Sequence, residues 1–114
     1  MVRRAGFVMI AVLAVHDRAA PDSRFLRYLP LIDVAASDDR NFVKRAVNWA
    51  LRQIGKRNSS LNVAARALAG ELAQSASKAA RWIGRDALRE LTSDGIQRRL
   101  ARYSRHDEKL GTKR

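Results

Sequence analysis

The chain has 114 residues, which is enough for one domain with a modest hydrophobic core. It contains no cysteine, which excludes a disulfide scaffold and any thiolate metal site. Lys and Arg number 23 against 11 Asp and Glu, and the net charge of +12 favours an anionic partner, either nucleic acid or an anionic membrane surface.

The N-terminal segment has two interpretations. Arg3 and Arg4 precede an apolar run over residues 5–15, and Ala14 supplies the small residue of a signal-peptide cleavage site. The run is too short to span a membrane, and a secreted remainder would have no disulfides. The alternative is a helix that is apolar nearly all round and packs between neighbours on both sides. A loop over residues 19–24 follows in either case.

A second amphipathic segment covers residues 25–35, and its apolar positions are Phe25, Leu26, Leu29, Ile32, Val34 and Ala35. Pro30 lies inside this segment and is expected to kink the helix or to divide it in two. Ser37, Asp38 and Asp39 follow, and they are predicted to cap the next helix and to add negative charge at its N-terminus.

The central helix, predicted over residues 40–58, carries two different stripes. Its buried stripe consists of apolar residues at helical spacing: Phe42, Val43, Ala46, Val47, Ala50 and Ile54. A second stripe, which we call the central stripe, contains Arg45, Asn48, Trp49, Arg52 and Lys56. No acidic residue occurs between Asp39 and Glu71, so the stripe suits a phosphate backbone with Trp49 against a sugar or base. The alternative is a solvated basic face with Trp49 at the core boundary.

Residues 58–60 are expected to end the central helix and to cap a fourth, Ala-rich helix that packs closely on a neighbour. After a break at residues 75–77, a fifth helix over residues 78–91 repeats the central design, with basic residues along one side: Lys78, Arg81, Arg85 and Arg89. Asp86 and Glu90 are expected to pair with basic residues one turn away on the same helix. Trp82 is interpreted as a core residue because Ala79 and Ile83 lie beside it.

Residues 92–94 are predicted to cap a short last helix over residues 96–103, and the polar tail 104–114 is predicted to be disordered. The domain is therefore expected to occupy residues 1–103. The short amphipathic helices predict an all-α fold of stacked antiparallel helix pairs, as in a HEAT-like α-α superhelix.

No hydrolase constellation or phosphate-binding glycine loop is present. His16 and His106 are isolated from other metal ligands, so no metal or cofactor is expected. Asp38 and Asp39 imitate a general-acid pair, but capping explains them at a helix start.

Three stretches carry a family resemblance: VRRAGFVMIAVLAVHD at residues 2–17, FVKRAVNWALRQIGKRN at 42–58 and AARWIGRDALREL at 79–91. They resemble the DNA alkylation repair enzymes (AlkD-like DNA glycosylases) over residues 2 to about 100, the C-terminal half of that family. The resemblance implies a curved stack of HEAT-like helix pairs with DNA in its concave face. It also implies excision of cationic alkylated purines such as N3-methyladenine and N7-methylguanine.

In this family a carboxylate stabilises the developing sugar cation, and aromatic rings attract the charged base. By resemblance, Trp49 matches an aromatic wall and Arg4 a DNA-backbone clamp, while Arg45 and Arg52 match basic positions that contact phosphates. Lys56 is expected to contact phosphates as a member of the central stripe. The family carboxylate lies on an upstream helix and has no counterpart among Asp17, Asp33, Asp38 and Asp39. We therefore expect a truncated family member with little glycosylase activity alone.

The expected partner is double-stranded DNA in the cytoplasm, together with a missing N-terminal half or a second copy joined through the first helix. No membrane partner is expected. Two alternatives stay open: a catalytically silent, nonspecific DNA-binding module, and a secreted or membrane-surface cationic helical protein.

Overall fold

The computed structural model describes the backbone of residues 2–17 and 19–111 and the side chains of residues 5–17 and 19–102. The described residues form six α-helices and no strand, which confirms the predicted all-α class. The helices are α1 (Val2–His16), α2 (Asp22–Ala35), α3 (Asn41–Gly55), α4 (Ser59–Ala73), α5 (Lys78–Leu91) and α6 (Asp94–Gly111).

The six helices form a two-layer array. In the described part of the chain, each helix contacts only helices one or two positions away in sequence. The odd layer contains α1, α3 and α5, and the even layer contains α2, α4 and α6. Asn48 lies beside Ile83 and Lys56 beside Glu90, so α3 and α5 run in the same direction. Contacts restricted to near neighbours are those of an α-helical repeat; the HEAT-like subtype stays a prediction.

Side chains cap the starts of two helices, and the cap expected from residues 58–60 is confirmed. The Asn58 side chain accepts a hydrogen bond from the Leu61 backbone N–H at 2.8 Å, at the start of α4. The Ser77 hydroxyl accepts from the Ala80 N–H at 3.2 Å, at the start of α5. Each bond satisfies one of the backbone donors that a helix N-terminus leaves without an intrahelical partner.

The predicted cap of α3 is wrong. Arg40 occupies the N-cap position, and its side chain makes no capping hydrogen bond to the first turn of the helix. The Asp38 carboxylate instead accepts from the backbone N–H of Arg40 at 3.1 Å and from its guanidinium at 2.7 Å. This hydrogen bond and the nearby negative charge raise the pKa of Arg40 above its usual value. The Asp38 carboxylate, which was expected to cap α3, is therefore bonded to Arg40 instead.

Two helices are longer than the sequence predicts. The second helix begins at Asp22, before the predicted segment 25–35, and of the kink or division expected at Pro30 the division does not occur, because α2 is one segment to Ala35. The last helix begins at Asp94 and continues to Gly111, whereas the prediction covered residues 96–103 only. An acidic residue in the first turn and an Arg98–Asp94 ion pair at 3.9 Å support its start. The domain boundary at residue 103 and a disordered tail stay predictions.

The core runs through α1 to α5, and its largest fully buried side chains include Phe25, Ile32, Leu51, Ile54, Leu61, Ile83 and Leu91. The Ala-rich α4 packs closely on α5, as expected. A Cβ added at Gly84 would lie 2.3 Å from the Ala73 backbone nitrogen and 2.5 Å from the Ala69 oxygen. Only a glycine allows the two helix backbones to approach this closely.

Two polar side chains join the helices at their ends. The Arg57 guanidinium donates to the carbonyl oxygens of Ala14 at 3.0 Å and Ala20 at 2.8 Å, and it stacks 4.3 Å from the Phe25 ring centre. The buried amide of Asn62 donates to the Gly55 carbonyl at 2.9 Å. The bonds to Ala14 and Gly55 satisfy carbonyls that helix C-termini leave open, and the bond to Ala20 ties the α1–α2 turn to the end of α3.

The first helix packs on one side only. Phe7, Ile10, Ala11 and Ala14 are buried in the core, as the internal-helix interpretation expects. Met9 is 58% exposed, and Val12 and Val15 are also exposed. The expected second neighbour is therefore not present among the described residues, and an apolar flank of α1 is exposed.

Candidate nucleic-acid interface

Charge is distributed unequally between the two layers. Helices α3 and α5, with the adjoining Lys56, carry eight basic side chains and two acidic ones. Helix α2 has two of each sign and α4 has one of each. Among α2 to α5, positive charge is therefore concentrated on α3 and α5, which lie side by side in the odd layer. Such a one-sided field attracts polyanions towards one surface of the molecule.

The structure divides the central stripe into an exposed, an intermediate and a buried part. Arg45 is exposed and has no ion-pair partner among the described side chains. Trp49 is half-buried and packs against the edge of the core. Asn48 is only 2% exposed, and its amide donates to the Ile83 carbonyl at 3.5 Å. The side chain of Arg4 lies outside the described residues.

Arg52 and Lys56 have carboxylate partners on α5. The Arg52 guanidinium donates to Asn48 at 2.7 Å and to Glu90 at 3.1 Å, and it lies 3.9 Å from the Asp86 carboxylate. The Lys56 ammonium donates to the same Glu90 carboxylate at 3.3 Å. Two members of the stripe therefore face an acidic neighbour while remaining partly accessible to solvent.

Sequence reasoning missed this pairing because the partners are more than 30 residues apart. The expected pairing within α5 is confirmed for Asp86, which binds Arg89 one turn away, whereas Glu90 bonds across to α3. The shared design of α3 and α5 was the available signal. An alignment of the two helices in the same direction would have placed the acidic residues of α5 beside the basic residues of α3, which predicts the contact.

The interpretation of Trp82 as a core residue is wrong. Its side chain is 43% exposed, and the Lys44 ammonium lies 4.9 Å from the ring centre. Ala79 and Ile83 do face the core, but one residue corresponds to about 100° of rotation, which places Trp82 at the boundary of the buried face. Trp82 therefore belongs to the same cationic surface as the central stripe.

Other chemistry is sparse on this surface. In residues 5–17 and 19–102, no three His, Asp or Glu side chains come together as metal ligands. Asp17 pairs with Arg24 at 3.7 Å and Asp38 with Arg40, so these two carboxylates have local partners. No described helix has the length and apolarity needed to cross a bilayer. The described surface therefore combines an array of cations with two aromatic rings, a composition suited to binding anions.

Comparison with known proteins agrees with this geometry. The family model of the DNA alkylation repair enzymes matches residues 1–91, the stretch that ends with α5. No curated protein and no solved structure matches the chain significantly. The family match covers most of the 114 residues and contains both helices of the cationic surface. The chain therefore belongs to the DNA alkylation repair enzyme family.

Proposed function

We propose that this chain binds double-stranded DNA through its odd layer, as part of the repair of alkylated DNA. The concentration of charge on α3 and α5 carries the proposal, because phosphates supply most of the affinity of a protein for duplex DNA. Membership of the repair family selects DNA among the polyanions that such a surface attracts. A DNA partner also agrees with the expected cytoplasmic location.

Each residue of the proposed interface has its own role. Arg45 is exposed and unpaired among the described residues, so it reaches a phosphate without first breaking an ion pair. Arg52 and Lys56 share Glu90 with each other, and they turn to a phosphate only in competition with that carboxylate. Trp49, half-buried at the edge of the core, is proposed to contact a sugar or base, and Arg4 is proposed as the backbone clamp that the family resemblance implies.

We further propose that the chain alone releases alkylated bases slowly or not at all. A cationic purine such as N3-methyladenine needs little acid catalysis, but the developing sugar cation needs a nearby negative charge. Asp86 and Glu90 are the acidic side chains of α3 and α5, and both are already bonded to cations. A carboxylate neutralised in this way stabilises a second positive charge only weakly.

The test follows duplex binding and base release in the same samples across a salt series. Arg45→Ala should weaken binding to intact duplex and reduce the salt slope by about one unit. Arg27→Ala is the matched control, because Arg27 is an exposed arginine on α2 in the even layer. Trp49→Ala should weaken binding to alkylated duplex more than binding to intact duplex.

The outcomes separate the candidate functions. Salt-dependent binding without release above the spontaneous rate supports a DNA-binding repair module that is catalytically silent alone. Release above that rate contradicts the proposed lack of a free carboxylate. Equal losses in Arg45→Ala and Arg27→Ala would contradict the assignment of the odd layer, and absence of binding would remove the DNA proposal altogether.

A further inference from the structure

A shallow groove runs along α5 around the exposed indole of Trp82. It has a volume of about 390 Å³ and is lined by Lys78, Arg81, Trp82, Arg85, Asp86 and Arg89. We call it the Trp82 groove. Its lining residues all lie on α5, and it adjoins the central stripe on α3 through Asp86, which is 3.9 Å from Arg52. The roles proposed for Trp49 and the central stripe leave this groove without a function.

Packing does not explain the position of Trp82. Helix α5 is anchored in the core by its small and aliphatic residues Ala79, Ala80, Ile83, Gly84, Ala87 and Leu91. The indole is covered on one side by the Lys44 ammonium at 4.9 Å, a cation–π contact that a flexible lysine leaves and re-forms easily. The ring is therefore held on a rigid helix while a large part of its surface faces solvent.

The cations of the groove differ in availability. The Arg81 guanidinium donates to the carbonyl oxygens of Ser75 and Ala76, at 3.1 and 2.9 Å, and Arg89 is bonded to Asp86. Lys78 and Arg85 are exposed and have no ion pair or hydrogen bond among the described residues. They lie seven positions apart, about 10 Å along the helix axis, one on either side of Trp82 in sequence.

An exposed indole between two unpaired cations has the composition of a site for single-stranded nucleic acid. Stacking on an aromatic ring recognises any base, because every base has a π-face, and cations beside the ring hold the backbone. Bases inside an intact duplex are already stacked on their neighbours, so they are not available to the indole. The groove therefore discriminates by the pairing state of a base and not by its identity.

We propose that the Trp82 groove binds an unpaired nucleotide of DNA, whose base stacks on the indole in place of the Lys44 ammonium and whose flanking phosphates contact Lys78 and Arg85. The site rests on the proposed DNA-binding function and adds a second binding position to it. Duplex DNA is held by the central stripe on α3, and an unpaired base next to it reaches α5 on the same layer.

The experiment compares the intact chain and its variants with three labelled DNA probes at one salt concentration. The probes are a single strand, a duplex with a short gap and an intact duplex of equal length. Trp82→Ala should weaken binding to the single strand and the gapped duplex by about fivefold or more, the loss expected for one stacked base. Binding to the intact duplex should change by less than about twofold, because no stacking partner is lost there.

Phe42→Ala is the matched control. Phe42 is expected from the sequence to lie in the buried stripe, but at the start of α3 it is exposed. It also lies under a guanidinium, with Arg40 at 5.5 Å from its ring centre, and it is not part of the groove. This variant should bind all three probes as the unchanged chain does. Trp82→Phe keeps a stacking face and should retain most of the single-strand affinity, and thermal melting of each variant verifies that it is folded.

Several results would overturn the proposal. Equal losses on all three probes would assign Trp82 to general DNA contact or to the fold, and unchanged single-strand binding would remove the site. Binding to vesicles containing phosphatidylserine that depends on Trp82 as strongly as single-strand binding does would reassign the groove to an anionic membrane surface. If the unchanged chain binds single strands through Trp82 but does not bind intact duplex, the proposed duplex function fails while the groove stands.

Discussion

Replacing Glu90 by Gln tests whether DNA binds the face shared by α3 and α5. The Glu90 carboxylate accepts hydrogen bonds from Arg52 at 3.1 Å and from Lys56 at 3.3 Å. Glutamine has nearly the same shape without the charge, so both cations lose an anionic competitor while the helix packing is preserved. If this face contacts phosphates, removal of the carboxylate should strengthen DNA binding at some cost in stability.

The magnitudes follow from the geometry of the ion pairs and from the salt dependence of DNA binding. Each phosphate that the protein neutralises changes the logarithmic salt slope by about 0.9, so one additional phosphate makes binding at 0.1 M salt about eightfold tighter. The lost ion pairs are partly exposed, at 29% for Arg52 and 32% for Glu90, so the free energy of unfolding should fall by only about 0.5–1 kcal/mol. The variant should therefore melt a few degrees lower and bind DNA several times more tightly.

Glu71→Gln is the matched control for the change in net charge. Glu71 is exposed on α4 and has no ion pair among the described residues. Its charge lies on the even layer, and at 0.1 M salt a separation of one helix diameter, about 10 Å, is already a full Debye length. This substitution should change the affinity by less than about twofold and should leave the salt slope unaltered.

The assay is a fluorescence anisotropy titration of a labelled duplex at four or five salt concentrations, with thermal denaturation of each protein in parallel. A larger salt slope and tighter binding for Glu90→Gln alone would support the α3–α5 face. Equal gains for the two variants would mean that DNA responds only to net charge. Weaker binding by Glu90→Gln would show that the carboxylate holds Arg52 and Lys56 in the orientation that DNA needs, which would refute a competition between Glu90 and phosphate.

The remaining predictions concern the fold and its surface. Gly84→Ala should lower the free energy of unfolding by about 2 kcal/mol or more, because its Cβ meets backbone atoms of α4, whereas Gly70→Ala has open space and should be neutral or stabilising in the same thermal melts. Arg57→Ala should cost about 2 kcal/mol in chemical denaturation, since it removes two hydrogen bonds from a charged donor and one cation–π contact; a loss below about 0.5 kcal/mol would contradict this. Asn62→Leu should cost about 1–3 kcal/mol, measured in the same denaturation series, because it leaves the Gly55 carbonyl without this donor. Met9→Lys should reduce concentration-dependent association in analytical ultracentrifugation, because it places a charge in the exposed apolar flank of α1; an unchanged association constant would exclude that flank as the contact.

The helices and their starts were largely predictable from the sequence because they depend on local chemistry. An apolar run indicated α1, and apolar residues at helical spacing indicated α2 to α5. The cap at Asn58 was recognised from a side chain that accepts from the next turn, whereas the cap at Ser77 was identified only as a break between helices. The cap at α3 was not predictable in the same way. The Asp38 carboxylate had two possible local partners, the start of α3 and the arginine two residues away, and it bonds to the arginine.

The surface was less predictable because it depends on which helices become neighbours. A sequence pattern assigns Arg52 and Lys56 to a basic stripe, but only the parallel packing of α3 on α5 brings Glu90 to them. Trp82 illustrates the same difficulty at the boundary of a buried face. Whether it enters the core depends on how far the adjacent helix extends over it, and here the Lys44 ammonium of α3 lies over a ring that is 43% exposed.

Asp86 and Glu90 reduce the electrostatic repulsion that the cationic surface would otherwise impose on the packing of α3 against α5. Two adjacent helices with eight basic side chains would repel each other, and full pairing of those charges would leave no field to attract DNA. Two carboxylates on α5 bond to Arg52, Lys56 and Arg89, which joins α3 to α5 and leaves Arg45, Lys78 and Arg85 without acidic partners among the described residues. The acidic residues therefore act at the helix–helix contact and the unpaired cations act outside it. Because the two groups are different residues, DNA affinity and stability should respond to separate substitutions on this surface.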